Sequence, residues 1–315
     1  MNKKEKAVVI WHLTCLHLEG KTLIKGTLLE RLPQPYNANT RTYQHASHVL
    51  QTYLTNPYKN ADIWIVTEAE TVQVQTDDSG NFQMLSSYTL EKQPAFKISE
   101  DGPFLKVAQT YPITFPCSKS PFDVISDIDD TAIHSYSTQF LKRVIKILFY
   151  TPSERDVVSG TQQLLQGFNL HGARINYVSK SESNLFYLLA KVFKTHKLPQ
   201  GAMLLTPYLS LLELLIPKKG LDFKFETIQF LLTHTPHKKY VLIGDDSQKD
   251  VVVYTKIIKA FPNRILKVYI RQTQPELQAN QKENLDALLA TQVPVLYFKQ
   301  DNFIDVKQEL LTLKQ

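Results

Sequence analysis

The stretch FDVISDIDDTAIHS, residues 122–135, joins an apolar run to a group of aspartates. Residues 122–126 predict a buried strand, and Asp127, Asp129 and Asp130 follow it within four positions. Three carboxylates so close together repel one another unless a cation joins them. Oxygen ligands favour a hard cation, and magnesium is the usual one beside phosphate groups. The stretch therefore predicts a magnesium site at the end of a buried strand.

Beyond this stretch, strand-like and helix-like runs alternate along the chain. The apolar runs INYVS, AMLLT, YVLIG and LKVYIRQ are separated by longer amphipathic segments, which predicts a parallel sheet wrapped by helices. Ligands of such sheets bind beyond the carboxyl ends of the strands. Ser179 and Asp245 end two of the predicted strands, and Lys224 lies near the start of a predicted helix. We expect these side chains to meet Asp127 at one rim of the sheet.

The chain before this region has a different texture. Residues 1–118 hold short, often alternating apolar runs, typical of a sandwich-like β domain. TDDSGNFQM, residues 76–84, predicts a hairpin turn, and RTYQHASHVLQTYLTN is compatible with a short helix. PCSKSP, residues 116–121, marks the boundary. We therefore expect a β-rich domain over 1–118 and an α/β domain over 119–315.

The composition is that of an ordinary globular protein. The chain has 315 residues, is 43% hydrophobic and carries a net charge of +6, which suits an anionic partner or is simply a solvated basic surface. No apolar run approaches the roughly 18 residues of a membrane span, and the N-terminus is interpreted as a strand rather than a signal peptide. The two cysteines, Cys15 and Cys117, indicate reduced residues of a cytoplasmic protein. Without a basic-aromatic motif, nucleic-acid binding is not expected.

The motif DIDDT, residues 127–131, resembles the first motif of the haloacid dehalogenase superfamily of phosphatases. Ser179, Lys224 and GDDSQKD at 244–250 follow in the order of the other three motifs. Within that superfamily, ISDIDDT, YVSKSE, KFETI, LIGDDSQKDVVVY and FPNRILKVYIR resemble the catalytic domain of the phosphatidate phosphatases named after the yeast actin-patch protein. The resemblance covers most of residues 120–275. It implies a Rossmann-like parallel sheet with helices on both faces and a phosphoric monoester hydrolase acting on phosphatidate or a related phospholipid.

The resemblance also implies a role for each matching residue. Asp127 would be the nucleophile that forms an aspartyl-phosphate, and Asp129 the general acid and base. Thr131 and Ser179 would bind phosphate oxygens, and Lys224 would neutralise their charge. The magnesium ligands implied are Asp127, Asp129 through its backbone carbonyl, and Asp245, with Asp250 orienting the waters of the metal or Lys224.

Each residue also has a simpler interpretation. Asp127 could cap a helix, and Asp130 is expected to serve a turn or cap rather than catalysis. Ser181 competes with Ser179 for the phosphate-binding role. Lys218 and Lys219 are alternatives to Lys224.

The sequence departs from the family pattern around these positions, which leaves the substrate open. Asp246 to Lys249 replace the usual serine, glycine, glutamine and histidine, Lys180 and Glu182 replace asparagine and proline, and Ala132 replaces isoleucine. Residues 139–152 place Lys142, Arg143 and Lys146 beside an apolar stripe, and residues 203–219 are strongly apolar and end in two lysines. Both segments fit peripheral contact with a membrane or packing on the core. A soluble phosphomonoester is therefore the alternative substrate. A catalytically silent module that binds phosphate or membrane is the alternative from another class.

Overall fold

A computed structural model describes residues 8–33, 42–134, 148–210, 213, 223–247, 249–299 and 304–313. The chain forms two compact units, which we describe separately. The first comprises Met1–Cys117 together with Ser181–Ala190 and Leu205–Gly220. The second comprises Ser118–Lys180, Lys191–Leu204 and Leu221–Gln315. The predicted division into domains 1–118 and 119–315 stays a prediction.

The first unit is rich in strands. Its described elements are β1 (Val9–Leu18), β2 (Lys21–Leu29), α1 (Thr42–Leu54), β3 (Asp62–Val66), β4 (Thr71–Gln75), β5 (Asn81–Ser86), β6 (Ala95–Lys97), β7 (Lys106–Val107) and β8 (Thr114–Phe115). The sheet order β5-β2-β1-β7, with β8 also on β1, forms one sheet, and β4-β3-β6 forms another. The helix predicted as an option between residues 41 and 56 is confirmed as α1.

The two sheets of the first unit share one apolar core. Ile10 and Leu13 of the larger sheet lie in the same buried cluster as Ile63 and Ile65 of the smaller one. Burial alternates along β3 and β5, as expected for strands with one face on a core and one in solvent. The predicted sandwich-like architecture is therefore observed. Cys15 is buried in this core, whereas Cys117 is exposed, and both are free thiols.

The predicted hairpin at residues 76–84 is wrong in its pairing. Asp77 and Gly80 do form a tight turn, in which the amide of Gly80, at φ +69°, donates to the carbonyl of Asp77 at 3.0 Å. However, β4 pairs with β3 and β5 pairs with β2, so the turn carries the chain from one sheet to the other. The alternating pattern identifies the strands, but it does not say which neighbour each strand takes.

The second unit has the predicted alternation of strands and helices. Its described elements are β9 (Phe122–Ser126), α2 (Ser159–Leu170), β10 (Ile175–Glu182), α3 (Phe186–Thr195), β11 (Ala202–Thr206), α4 (Phe223–Thr233), β12 (Lys239–Asp245), α5 (Asp250–Ala260), β13 (Ile265–Arg271), α6 (Ala279–Leu289), β14 (Val295–Phe298) and α7 (Val306–Leu313). α3 and the last residues of β10 are assigned in part to the first unit. The predicted α/β fold class is confirmed.

The six strands form one sheet in the order β11-β10-β9-β12-β13-β14. The pairings of β9 with β10 and β12, and of β13 with β12 and β14, are parallel. β9 is buried along its whole length, as expected for the central strand of a sheet flanked by helices. The strand order reverses between β9 and β12, and in open α/β sheets ligands bind where this reversal opens a crevice at the carboxyl ends. The fold therefore directs attention to the ends of β9 and β12.

The structure describes only part of the two apolar segments, residues 139–152 and 203–219. Residues 139–147, 211–212 and 214–219 lie outside the described residues. In the second segment, Met203, Leu204 and Leu205 are buried in β11, and Tyr208 is buried beyond it. In the first segment, Phe149 and Tyr150 are about half exposed. Within the described part of the chain, no helix is long and apolar enough to cross a membrane.

Candidate active site

The ends of β9 and β12 place two aspartates side by side. Asp127 follows the last residue of β9, and Asp245 is the last residue of β12. The amide of Asp127 donates to the carbonyl of Ile243 at 2.9 Å, which continues the pairing of the two strands beyond β9. Both carboxylates are buried. Parallel pairing therefore brings together two acids that are 118 positions apart in the sequence, as predicted.

Lys224 supplies the positive charge of the site. It is the second residue of α4 and is fully buried. Its Nζ lies 2.9 Å from Asp127 Oδ1 and 2.5 Å from Asp250 Oδ1. Asp250, the first residue of α5, also accepts from the amide of Asp245 at 3.4 Å. The predicted lysine therefore pairs with two of the predicted aspartates. Burying these charged groups would be costly if they were not paired.

The two hydroxyl groups predicted to bind phosphate also lie at this rim. Thr131 Oγ1 is 3.0 Å from Asp245 Oδ2 and 3.4 Å from Asp127 Oδ2. Ser179 Oγ donates to Asp129 Oδ2 at 3.1 Å. These side chains therefore contact carboxylates of the site, and the same hydroxyls can donate to an oxyanion that enters it.

The aspartate motif forms a tight turn after β9. The amides of Ala132 and Ile133 both donate to the carbonyl of Ile128, at 2.9 and 3.0 Å, and the amide of Asp130 donates to the carbonyl of Ile133 at 2.7 Å. Asp130 has φ +57°, a conformation that aspartate tolerates better than most residues. This conformation turns Asp129 and Thr131 towards the site. The turn or cap role predicted for Asp130 agrees with this geometry.

A glycine that the sequence analysis did not single out makes room for Asp250. A Cβ added to Gly244 would lie 2.8 Å from Asp250 Oδ2 and from Tyr254 Cε2, closer than side-chain atoms approach in proteins. The only sequence signal was its position directly before Asp245. Ser247 was likewise not predicted to contact the site. Its amide donates to Asp245 Oδ1 at 2.6 Å, and its hydroxyl donates to the same oxygen.

The geometry of the carboxylates fits a metal ion. One oxygen each from Asp127, Asp245 and Asp250 can be chosen so that all three lie within 4.8 Å of one another, and all three residues are buried. Asp127 Oδ1 accepts no hydrogen bond from the described residues, although Lys224 Nζ is close. An all-oxygen set of this kind suits a hard divalent cation.

Burial and mutual repulsion dominate the protonation of the cluster. Burial raises the pKa of Asp127 well above its usual range, and Asp250, Asp245 and Asp129 raise it further, while Lys224 opposes them. Burial and Asp250 raise the pKa of Asp245 to about 7. Burial would lower the pKa of Lys224, but the neighbouring aspartates outweigh it and raise that pKa. The protein alone therefore leaves an excess of negative charge that a cation would relieve.

Asp246, one of the departures from the family pattern, points away from this cluster. Its Oδ1 accepts from the amide and hydroxyl of Thr273, at 2.9 and 2.5 Å, and its Oδ2 accepts from Tyr297 at 2.5 Å. Gln281 donates to its carbonyl at 2.8 Å. Asp246 therefore joins the end of β12 to the segments after β13 and in β14. Lys249 is exposed directly before α5.

The alternatives to Ser179 and Lys224 stay open. Lys218 and Lys219 lie outside the described residues. Ser181 belongs to the first unit, whereas Asp127, Ser179 and Lys224 belong to the second. Ala132 is buried within the turn after β9.

Comparison with known proteins identifies relatives of this region. Residues 122–272 match the family model described as phosphatidate phosphatase APP1, catalytic domain. The chain is 30% identical over 202 residues to phosphatidate phosphatase APP1 of Saccharomyces cerevisiae, an alignment that covers 62% of this chain and 34% of the yeast protein. It is 24% identical over 173 residues to an uncharacterized protein of Schizosaccharomyces pombe, covering 54% of this chain and 28% of that protein. The chain thus spans about a third of the length of these relatives.

Among solved structures, the Pnkp1/Rnl/Hen1 complex matches with a TM-score of 0.30 and 11% identity, over 66% of this chain and 57% of that chain. A likeness this loose carries no argument about fold or function.

Proposed function

We propose that the chain, whose residues 122–272 match the family model of phosphatidate phosphatase APP1 catalytic domains, hydrolyses the phosphomonoester of phosphatidate or a related phospholipid. The observation that carries the proposal is the contact of Lys224 with both Asp127 and Asp250, at the point where the strand order reverses. A buried ammonium group among carboxylates suits a dianionic phosphate that enters with a cation.

In the proposed reaction, Asp127 is the nucleophile. Its carboxylate attacks phosphorus, a bond forms between Asp127 and phosphorus, and the bond from phosphorus to the ester oxygen breaks. Asp129, which accepts a hydrogen bond from Ser179 of β10, gives its proton to the leaving oxygen and then takes one from the water that hydrolyses the aspartyl-phosphate. Diacylglycerol and inorganic phosphate are the products when phosphatidate is the substrate.

The remaining residues position and neutralise the phosphate. Lys224 balances the charge of Asp127 and the phosphate oxygens, and Thr131 and Ser179 donate hydrogen bonds to them. Asp127, Asp245 and the backbone carbonyl of Asp129 would hold a magnesium ion, with Asp250 orienting its waters and Lys224. When bound, the ion reduces the repulsion between the phosphate and Asp127. Membrane contact is peripheral in this proposal.

The test is phosphate release in the presence of magnesium, from phosphatidate vesicles and from a panel of soluble phosphomonoesters. Asp127→Asn, which keeps the size of the side chain, should abolish release, whereas the exposed Asp286→Asn in α6 should leave it unchanged. Release from vesicles that disappears only in Asp127→Asn supports the proposal. Release from soluble esters alone would replace the lipid by a soluble substrate, and no release from any substrate would contradict catalysis.

A further inference from the structure

Arg271 links the carboxyl end of β13 to the turn that carries the aspartate motif. It is the last residue of β13 and pairs in register with Asp245 of β12. Its side chain is only 6% exposed. Since β12 lies between β13 and β9, the guanidinium group passes over the end of β12 to reach the turn after β9. There Nη1 donates to the carbonyl of Asp130, and Nη2 donates to Nδ1 of His134 at 3.3 Å.

The main chain of Arg271 is fixed independently of its side chain. Its carbonyl accepts from the amide of Asp246 at 3.2 Å, and the residue pairs with Phe298 of β14 on the other side. The guanidinium group therefore extends from a rigid strand, and its N–H donors are held in a planar fork. A lysine in the same place would present a rotating point charge and could not copy both contacts.

The carbonyl that Arg271 holds belongs to the strained residue of the turn. Asp130 has φ +57°, and such a conformation persists in a residue other than glycine only when its surroundings impose it. Asp129 and Thr131, on either side of it, contact Ser179 and Asp245. A rotation of the peptide after Asp130 would therefore move the side chains of Asp129 and Thr131 away from these two partners.

We propose that Arg271 is a positioning residue, which fixes the turn so that Asp129 and Thr131 are aligned with Asp127 before substrate binds. The kinetic part of this inference rests on the proposed phosphatase activity. Because Arg271 contacts the main chain of Asp130 and the ring of His134, its loss should disturb the turn and so lower the rate of the chemical step more than the affinity for substrate. A misplacement of catalytic groups by about 1 Å can cost on the order of 100-fold in rate.

The experiment compares two arginines at opposite ends of β13. Arg264, just before β13, also donates to backbone carbonyls, those of Lys238 and Thr235, and is remote from the site along the strand. For Arg271→Gln we expect kcat to fall by about 10- to 100-fold, with KM within about threefold of the parent value. Arg271→Lys should recover part of kcat, and Arg264→Gln should keep the parent kcat even where it lowers stability.

Hydrogen exchange supplies a readout that needs no activity. The amides of residues 128–133 should exchange faster in Arg271→Gln, and to a smaller extent in Arg271→Lys, than in the parent or in Arg264→Gln. If Arg271→Gln does not fold, Arg271→Lys takes its place in both measurements. Unchanged exchange over these residues, or a rise in KM without a fall in kcat, would overturn the inference. A parent without phosphatase activity but with exchange that depends on Arg271 would refute the proposed function and leave the turn-fixing role standing.

Discussion

At the scale of single residues, the site is organised around the charge of Lys224. Its ammonium group is shared between Asp127 and Asp250, while Asp245 contacts Thr131 and Ser247 instead. One lysine cannot neutralise three buried carboxylates, and an ion buried without a partner costs several kcal/mol. The excess negative charge therefore favours a ligand that brings positive charge.

Gly244 is the residue at which a single methyl group should disrupt this arrangement. In Gly244→Ala the new Cβ would lie 2.8 Å from Asp250 Oδ2, so Asp250 must move away from Lys224 and from the amide of Asp245. We expect a loss of about 1–3 kcal/mol in stability, as for other overpacked positions. We also expect phosphate release to fall by at least about 10-fold. Chemical denaturation and the phosphatase assay measure the two effects.

Gly160→Ala is the matched control in the same unit. Gly160 lies in α2, and a Cβ added to it would lie 3.1 Å from Cε2 of the Phe298 side chain. The extra methyl there should change stability modestly and leave phosphate release as in the parent. Equal activities of Gly244→Ala and Gly160→Ala would show that the close approach of Asp250 to β12 is dispensable.

At the scale of secondary-structure elements, Asp246 joins the end of β12 to β14 and to the segment that follows β13. It directly follows Asp245, the last residue of β12, and accepts from Thr273, which follows β13, and from Tyr297 of β14. Tyr297→Phe should destabilise the second unit by about 1 kcal/mol and Thr273→Val by a similar amount, because hydrogen bonds to charged groups contribute about 1.5–3 kcal/mol and exposure reduces this. Both variants should keep kcat within a few-fold of the parent. Thermal unfolding together with phosphate release checks this.

Tyr88→Phe provides the comparison, since Tyr88 is 53% exposed in the first unit and its loss of a hydroxyl should change neither quantity. A large fall in kcat for Tyr297→Phe without loss of stability would contradict the structural role of Asp246. It would place that carboxylate in the chemistry instead.

The elements show what the sequence could predict. Strand ends were predictable because an apolar run followed by a polar residue marks them, which located Asp127 and Asp245 and, through parallel pairing, their meeting point. Arg271 was not predictable as a partner of Asp130, because a link across β12 depends on the strand order, which periodicity does not encode. Gly244 was missed for a similar reason: its significance depends on how closely α5 approaches β12. The wrong hairpin shows the same limit in the first unit.

At the scale of the whole molecule, the two units contain buried groups whose pKa values are shifted in opposite directions, so that their effects on stability respond to pH in opposite ways. In the first unit, burial lowers the pKa of His12 to about 3, with Lys25 adding to the effect. Its ring stacks on Phe186 at 4.1 Å between centroids, and its Nε2 lies 3.2 Å from Thr14 Oγ1. In the second unit, the pKa values of Asp127 and Asp245 are raised by burial. Acid therefore weakens the folded state through the histidine and strengthens it through the two aspartates.

The histidine effect can be isolated by comparing the parent with His12→Gln. A histidine whose folded pKa lies below its unfolded value of 6.5 stabilises the protein fully above pH 6.5, and this stability is lost progressively as pH falls towards 3. At pH 5 the loss amounts to about 2 kcal/mol. The parent should therefore lose about 2 kcal/mol more than His12→Gln between pH 7.5 and pH 5, whatever the aspartates contribute, because their contribution is common to both proteins.

The measurement is chemical denaturation at the two pH values, followed by tryptophan fluorescence. The chain has two tryptophans, Trp11 and Trp64, and both lie in the first unit with His12, so the signal reports the unit in which the titrating group is buried. His12→Gln removes the group that must be desolvated as a cation, so its unfolding free energy should depend less steeply on acid than that of the parent. Parallel pH dependences in the two proteins would mean that His12 can be protonated in the folded state at little cost, and the core around Phe186 would then have to admit water.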